Sequence, residues 1–163
     1  MIMWYYNNTG GIKNIMMILK PKLNFNYNKL VRLNPKRVVL IVLHHRCGNG
    51  TIESIHQAHL KRGWAGCGYH YYIRKDGTVY QGRPTEYVGS HCVGNNSCSI
   101  GICFEGDFRK EKPTHEQLVA CKELEHELRN KFTTIKRVLN HKDLCQTLCP
   151  VVDLKKLVAE AKS

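Results

Sequence analysis

The sequence predicts an α/β fold, a single domain built on a central mixed β-sheet flanked by about three helices. Three observations carry that reading. The run Val38-Val39-Leu40-Ile41-Val42-Leu43 is apolar at every position, the pattern of a strand covered on both faces. Thr114-His115-Glu116-Gln117 is a capping box that opens a long helix. Around these two, strand-like and helix-like segments alternate, which packs helices against a sheet.

The elements follow in order. Residues 37–44 form the first strong strand. Thr51 can cap a helix whose faces carry Ile52, Ile55, His56, His59 and Leu60, with Gly63 at its end. Residues 68–75 and 78–82 read as two strands joined at Asp76-Gly77, a hairpin dipeptide. Residues 99–105 are another buried strand. The helix opened at Thr114 runs to about Lys131, with Leu118, Cys121, Leu124 and Leu128 at its apolar positions. Ile135 to Asn140 is a short strand that delivers His141. Asp153 caps a last helix through Leu154, Leu157 and Val158. Residues 1–23 show neither period and read as a flexible basic arm, leaving 24–163 as the folded domain. Met16 or Met17 offers an alternative start within that arm.

A chain of 163 residues supports one core. No apolar stretch approaches the ~20 residues that span a bilayer, so no membrane span is expected. Ile15-Met16-Met17-Ile18-Leu19 is shorter than the ~7–15 residues of a signal-peptide core. The expectation is synthesis in the cytoplasm without a signal peptide, and a monomer. The eight cysteines then read as thiols, with Cys103 and Cys121 in the core. Cys92 and Cys98 flank one loop and can pair in an oxidising setting. The net charge of +12 is lopsided, because residues 1–52 carry eight Lys or Arg and no acid. Such a segment attracts polyanions.

The chemistry gathers at three distant residues. His44 closes the first strand, and His141 and Cys149 stand eight residues apart near the end. Two imidazoles and a thiolate can occupy three corners of a tetrahedral zinc site, leaving the fourth to water, as catalytic sites do. Zinc there would lower the pKa of water from ~15.7 towards ~7. Two rivals stay open on the residues alone. His45 points to the opposite face from His44, and Cys145 lies nearer His141.

Five motifs in order resemble one family. They are His44 at a strand end, Gly68-Tyr69-His70, the hairpin Tyr72 to Val79 with Gly82-Arg83, Val88-Gly89-Ser90-His91 followed by Ser99-Ile100-Gly101-Ile102, and His141 with Thr147, Cys149 and Pro150. Over roughly residues 37–158 the chain resembles the zinc-dependent N-acetylmuramoyl-L-alanine amidases of the peptidoglycan recognition protein fold, and within them the phage endolysins. The resemblance selects His44, His141 and Cys149 as ligands of Zn2+. It implies Tyr69 as a catalytic donor, with Thr147 where other members carry Lys or Thr. It implies His70 and His91 as groove residues. Asn96, by its side chain alone, is a candidate hydrogen-bonding group for a glycan or peptide. Cys103 stands where some members carry Glu, so a carboxylate base is excluded there. The implied activity is cleavage of the amide between N-acetylmuramic acid and L-alanine in peptidoglycan, by zinc-activated water, acting on the bacterial wall after release. The basic amino-terminal region would then meet anionic wall polymers. Two other readings remain. One is a peptidoglycan-binding module without catalysis. The other, disfavoured by His44 in a buried strand, is a nucleic-acid-binding domain with structural zinc at His141, Cys145 and Cys149.

Overall fold

The computed structural model describes residues 2–6 and 12–162. Eight strands and three helices are present among them: β1 (Ile2–Tyr6), β2 (Ile12–Met16), β3 (Ile18–Leu19), β4 (Leu40–His45), α1 (Ile52–Lys61), β5 (Tyr71–Ile73), β6 (Val79–Gln81), β7 (Ser99–Phe104), α2 (His115–Lys131), β8 (Arg137–Asn140) and α3 (Leu154–Glu160). β1 and β2 pair antiparallel as a separate ribbon, and the other six strands form one sheet in the order β3-β6-β5-β7-β4-β8. Only the β5–β6 pair is antiparallel, so the sheet is mixed as expected.

Local chemistry sets the element ends. The Thr51 hydroxyl accepts from Ser54 N, and Thr114 and Gln117 close the capping box at α2. Asp153 accepts from Lys156 N at α3. Gly77 takes φ +83° in the β5–β6 turn, where an L side chain is strained. No described helix is long and apolar enough to cross a membrane.

Alternation along the central strands divides the core into two faces. Ile41, Leu43, Ile100, Ile102 and Phe104 pack with Cys121, Leu124 and Leu128 of α2 and with Leu154 and Val158 of α3. On the other face, Tyr72 and Cys103 meet Ile52 and Ile55 of α1, and Leu40 and Val42 meet Cys92 and Leu139. His44 is in step with Leu40 and Val42, so it belongs to this second face. His45 falls on the first and stacks on Phe108, with ring centroids 5.5 Å apart.

Two segments differ from expectation. Residues 1–23 show no strand period, yet β1 and β2 pair, and Ile18–Leu19 adds an edge to the main sheet against Val79–Tyr80. Met16 and Ile18 rest on the main core, and Leu23 packs against the α1 cluster. Apolar contact thus corrects the arm reading for residues 16–23. The strand expected from residue 68 begins only at Tyr71, and Gly68 lies close against a neighbouring loop. A Cβ there would lie 2.2 Å from the Ser90 carbonyl oxygen.

Candidate active site

Three donors converge where β4 ends beside the loop that follows β8. His44, at the carboxyl end of β4, is 1% exposed. His141 opens a single helical turn after β8, held where Asn140 N donates to Asp143 Oδ2 at 3.0 Å. Lys142 N donates to the Cys149 carbonyl at 2.7 Å, which closes the His141–Cys149 loop on itself. Cys149 Sγ then accepts from His45 N at 3.5 Å. The result places ligand atoms of His44, His141 and Cys149 within 4.8 Å of one another. The His44 and His141 rings stand 4.4 Å apart, centroid to centroid.

The set proposed for a structural zinc is not assembled. Cys145 groups with His141 and Cys92, while Cys149 groups with His141 and His44. The Cys92–Cys98 pair that the sequence left open is not formed. Cys92 Sγ lies 3.3 Å from Cys145 Sγ, and the Cys98 thiol turns to the Asn95 carbonyl.

Electrostatics favours neutral donors. Burial, with the neighbouring imidazoles of His141 and His45, holds the His44 pKa well below its ordinary value. Burial lowers that of His141 too. Burial pushes the Cys149 thiol up to about 11 against the opposing hydrogen bond from His45 N. The imidazole lone pairs are therefore free at neutral pH, whereas the thiol needs a cation beside it to lose its proton.

A hydrogen-bond chain fixes the tautomer of His44. Ser99 Oγ donates to the Asn95 carbonyl at 2.7 Å. Its lone pair is thus left for His91 Nε2, 3.3 Å away, which must carry a proton. His91 Nδ1 is then an acceptor, and it receives His44 Nε2–H at 2.9 Å. His44 Nδ1 is left with a free lone pair. The tight seating of His91 needs Gly101, where a Cβ would come within 2.5 Å of the imidazole.

The donors open on a cleft of about 450 Å3, lined by His59, Arg62, Trp64, Tyr69, Ser90, His91, Cys92, Val93, Asn96, His141, Cys145, Gln146 and Thr147. Tyr69 borders it with its ring 5.2 Å from that of His44. Burial, then the neighbouring thiols of Cys103 and Cys149, raise the Tyr69 phenol well above its usual value, so it stays a proton donor. Thr147 Oγ1 accepts from Cys149 N at 3.2 Å, which leaves its O–H to donate. Asn96 Oδ1 accepts from His91 N and Cys92 N, both at 2.9 Å, and so shapes the loop that carries His91.

His70 departs from its expected groove role. It is fully buried and absent from the cleft lining. Its Nδ1 accepts from Gly101 N at 3.0 Å and its Nε2 donates to the Tyr87 carbonyl at 2.9 Å, so both nitrogens are committed to backbone. Other contributors were not legible as site residues. Ser99 orients His91. Arg83, 3% exposed, donates to the carbonyls of Gly66, Cys67 and Val88 and to Ser90 Oγ, and so ties together the loops on either side of Tyr69. Its place after Gly82 in the hairpin motif was the only available signal.

Comparison with known proteins agrees with this architecture. The family profile of N-acetylmuramoyl-L-alanine amidases matches residues 34–151. The endolysin of Klebsiella phage KP32 is 39% identical over 110 residues, covering 64% of this chain and 72% of that one. Among solved structures, the N-acetylmuramoyl-L-alanine amidase LysC from Clostridium intestinale URNW is 37% identical with a TM-score of 0.79, over 88% of this chain and 96% of that one. The Ph2119 endolysin from the Thermus scotoductus MAT2119 bacteriophage is 27% identical with a TM-score of 0.75, over 90% and 100%. The match spans most of the chain and contains all three converging donors, and the chain belongs to the N-acetylmuramoyl-L-alanine amidase family.

Proposed function

We propose that this chain is a zinc-dependent peptidoglycan amidase that hydrolyses the bond between the lactyl group of N-acetylmuramic acid and the L-alanine of the stem peptide. The observation that carries the reading is the convergence of His44, His141 and Cys149 at the edge of an open cleft, in a chain of this family. Two neutral imidazoles and one thiol suit zinc, and three protein donors suit a site that keeps one position for water. When bound, zinc supplies Lewis acidity and makes water available as hydroxide near neutral pH.

The side chains do the rest. His44 offers Nδ1 because His91 holds its Nε2–H. The raised Tyr69 phenol donates to the oxygen of the scissile carbonyl as negative charge develops there. Thr147 adds a second O–H at the same rim, without the fixed charge that a lysine would bring. Trp64 and Val93, both exposed, give the cleft an apolar wall for the faces of a sugar and the methyl groups of a peptide. Away from the cleft, Lys20, Lys22, Lys29, Arg32, Lys36 and Arg37 are all exposed on the amino-terminal segment. They offer a docking charge for anionic wall polymers.

Digestion of purified sacculi followed by mass spectrometry of the products tests the reading. It requires peptides with a new amino-terminal alanine and glycans with a free lactyl carboxylate. Fragments cut between sugars, or within the stem peptide, would reject it.

A further inference from the structure

Cys92 and Cys145 lie on different loops and meet at the wall of the cleft. Cys92 follows His91 on the loop before β7, and Cys145 sits midway between His141 and Cys149. Their sulfurs are 3.3 Å apart. A disulfide bond is ~2.05 Å long, so a closure of about 1.3 Å would join them. Each sulfur has local support. Asn95 Nδ2 points at Cys92 Sγ from 3.8 Å, and Cys145 Sγ faces the Val93 carbonyl at 3.8 Å. Leu40, Val42 and Leu139 pack beneath the pair, with Leu144 and Cys98 beside it. The zinc donors do not need either thiol, so the pair has no part in the hydrolysis derived above.

We propose that Cys92 and Cys145 form a reversible disulfide that staples the two walls of the cleft together. The oxidant is a small-molecule disulfide such as oxidised glutathione. Cys145 is partly exposed and lines the cleft, whereas Cys92 is 1% exposed. Cys145 therefore attacks first, as its thiolate, forming a mixed disulfide and releasing one glutathione thiolate. Cys92 then attacks the Cys145 sulfur and displaces the second. Two protein thiols are oxidised to one disulfide, one glutathione disulfide is reduced to two thiols, and the two protons pass to the glutathione thiolates. The bond would link residues 53 positions apart in the chain and restrain the unfolded state accordingly. A reducing compartment keeps the walls separate, and an oxidising one joins them.

The test uses the full chain equilibrated in reduced and in oxidised glutathione buffers, alkylated, digested without reduction and mapped by mass spectrometry. The oxidised sample should yield one linked species joining the Cys92 and Cys145 peptides, fully reversed by reductant. Cys98→Ser should retain it, and Cys145→Ser should abolish it. Oxidation should raise the melting temperature of the wild type by roughly 5 °C or more, with no such rise in Cys145→Ser. Recovery of Cys145 as free thiol or only as its glutathione adduct, or linkage of Cys92 to Cys98, would overturn the proposal. The peptide map of the wild type decides this even if a variant fails to fold.

Discussion

Replacing His91 with leucine tests the hydrogen-bond chain behind His44 without touching a zinc donor. Leucine is close to histidine in volume but cannot accept the His44 Nε2 proton. In the metal-free variant His44 can move its proton to Nδ1, so the fold itself is spared. Metal binding through Nδ1 then forces the proton back to Nε2, which is buried and has lost its acceptor at 2.9 Å. An unsatisfied buried donor costs about 1–3 kcal/mol. At ~1.4 kcal/mol per decade that corresponds to a zinc affinity lower by roughly 5–150-fold, in the range of ~10–100-fold seen when partners of metal-bound histidines are removed. Competition against a chromophoric chelator measures the affinity directly, with circular dichroism as the control for folding. A folded variant with zinc affinity within about twofold of wild type would refute the assignment of Nδ1 as donor and of His91 as its positioning residue.

Three further outcomes are expected. Tyr69→Phe should retain fold and metal while turnover on a soluble muropeptide falls by roughly 10–1000-fold, as for a lost oxyanion donor; unchanged turnover would make the phenol structural. His70, fully buried, has its pKa lowered by burial to about 4, below the ~6.5 of an unfolded chain, so protonation favours unfolding. Its contribution is complete above pH ~6.5 and about 3 kcal/mol is lost as the pH falls to ~4; urea midpoints should show this, and His70→Gln, which can keep both backbone bonds, should flatten that part of the profile. Replacing Lys20, Lys22 and Lys29 together with glutamine should weaken association with intact sacculi and reduce its salt dependence, while soluble muropeptide cleavage stays unchanged; equal salt sensitivity in both proteins would remove the electrostatic role.

The sequence made the frame and the donors legible for identifiable reasons. Strong signals are local: the apolar run before His44, the Asp76-Gly77 turn, and the caps at Thr51, Thr114 and Asp153 all appear where expected. Strand alternation allowed only one of His44 and His45 into the site and the family resemblance selected His44; the fold sends the two to opposite faces as that period requires. What stayed hidden is non-local. A two-residue edge strand such as Ile18–Leu19 has no period to detect, and only its partner Val79–Tyr80 defines it. His70 and His91 look alike in sequence, yet one spends both nitrogens on backbone and the other on His44 and Ser99. Cys92 and Cys145 are distant in the chain, and their contact depends on two loops closing over the same cleft.

Zinc content measured beside hydrolysis in Cys149→Ala and Cys145→Ala tests the central claim most directly. The two thiols share one short loop, and both stand near His141. One zinc per wild-type chain is expected. Cys149→Ala, left with two donors, should lose the metal and the release of stem peptides from sacculi. Cys145→Ala should keep both. Loss of metal and activity from Cys145→Ala, with Cys149→Ala still loaded and active, would contradict the assignment of His44, His141 and Cys149 as the zinc site.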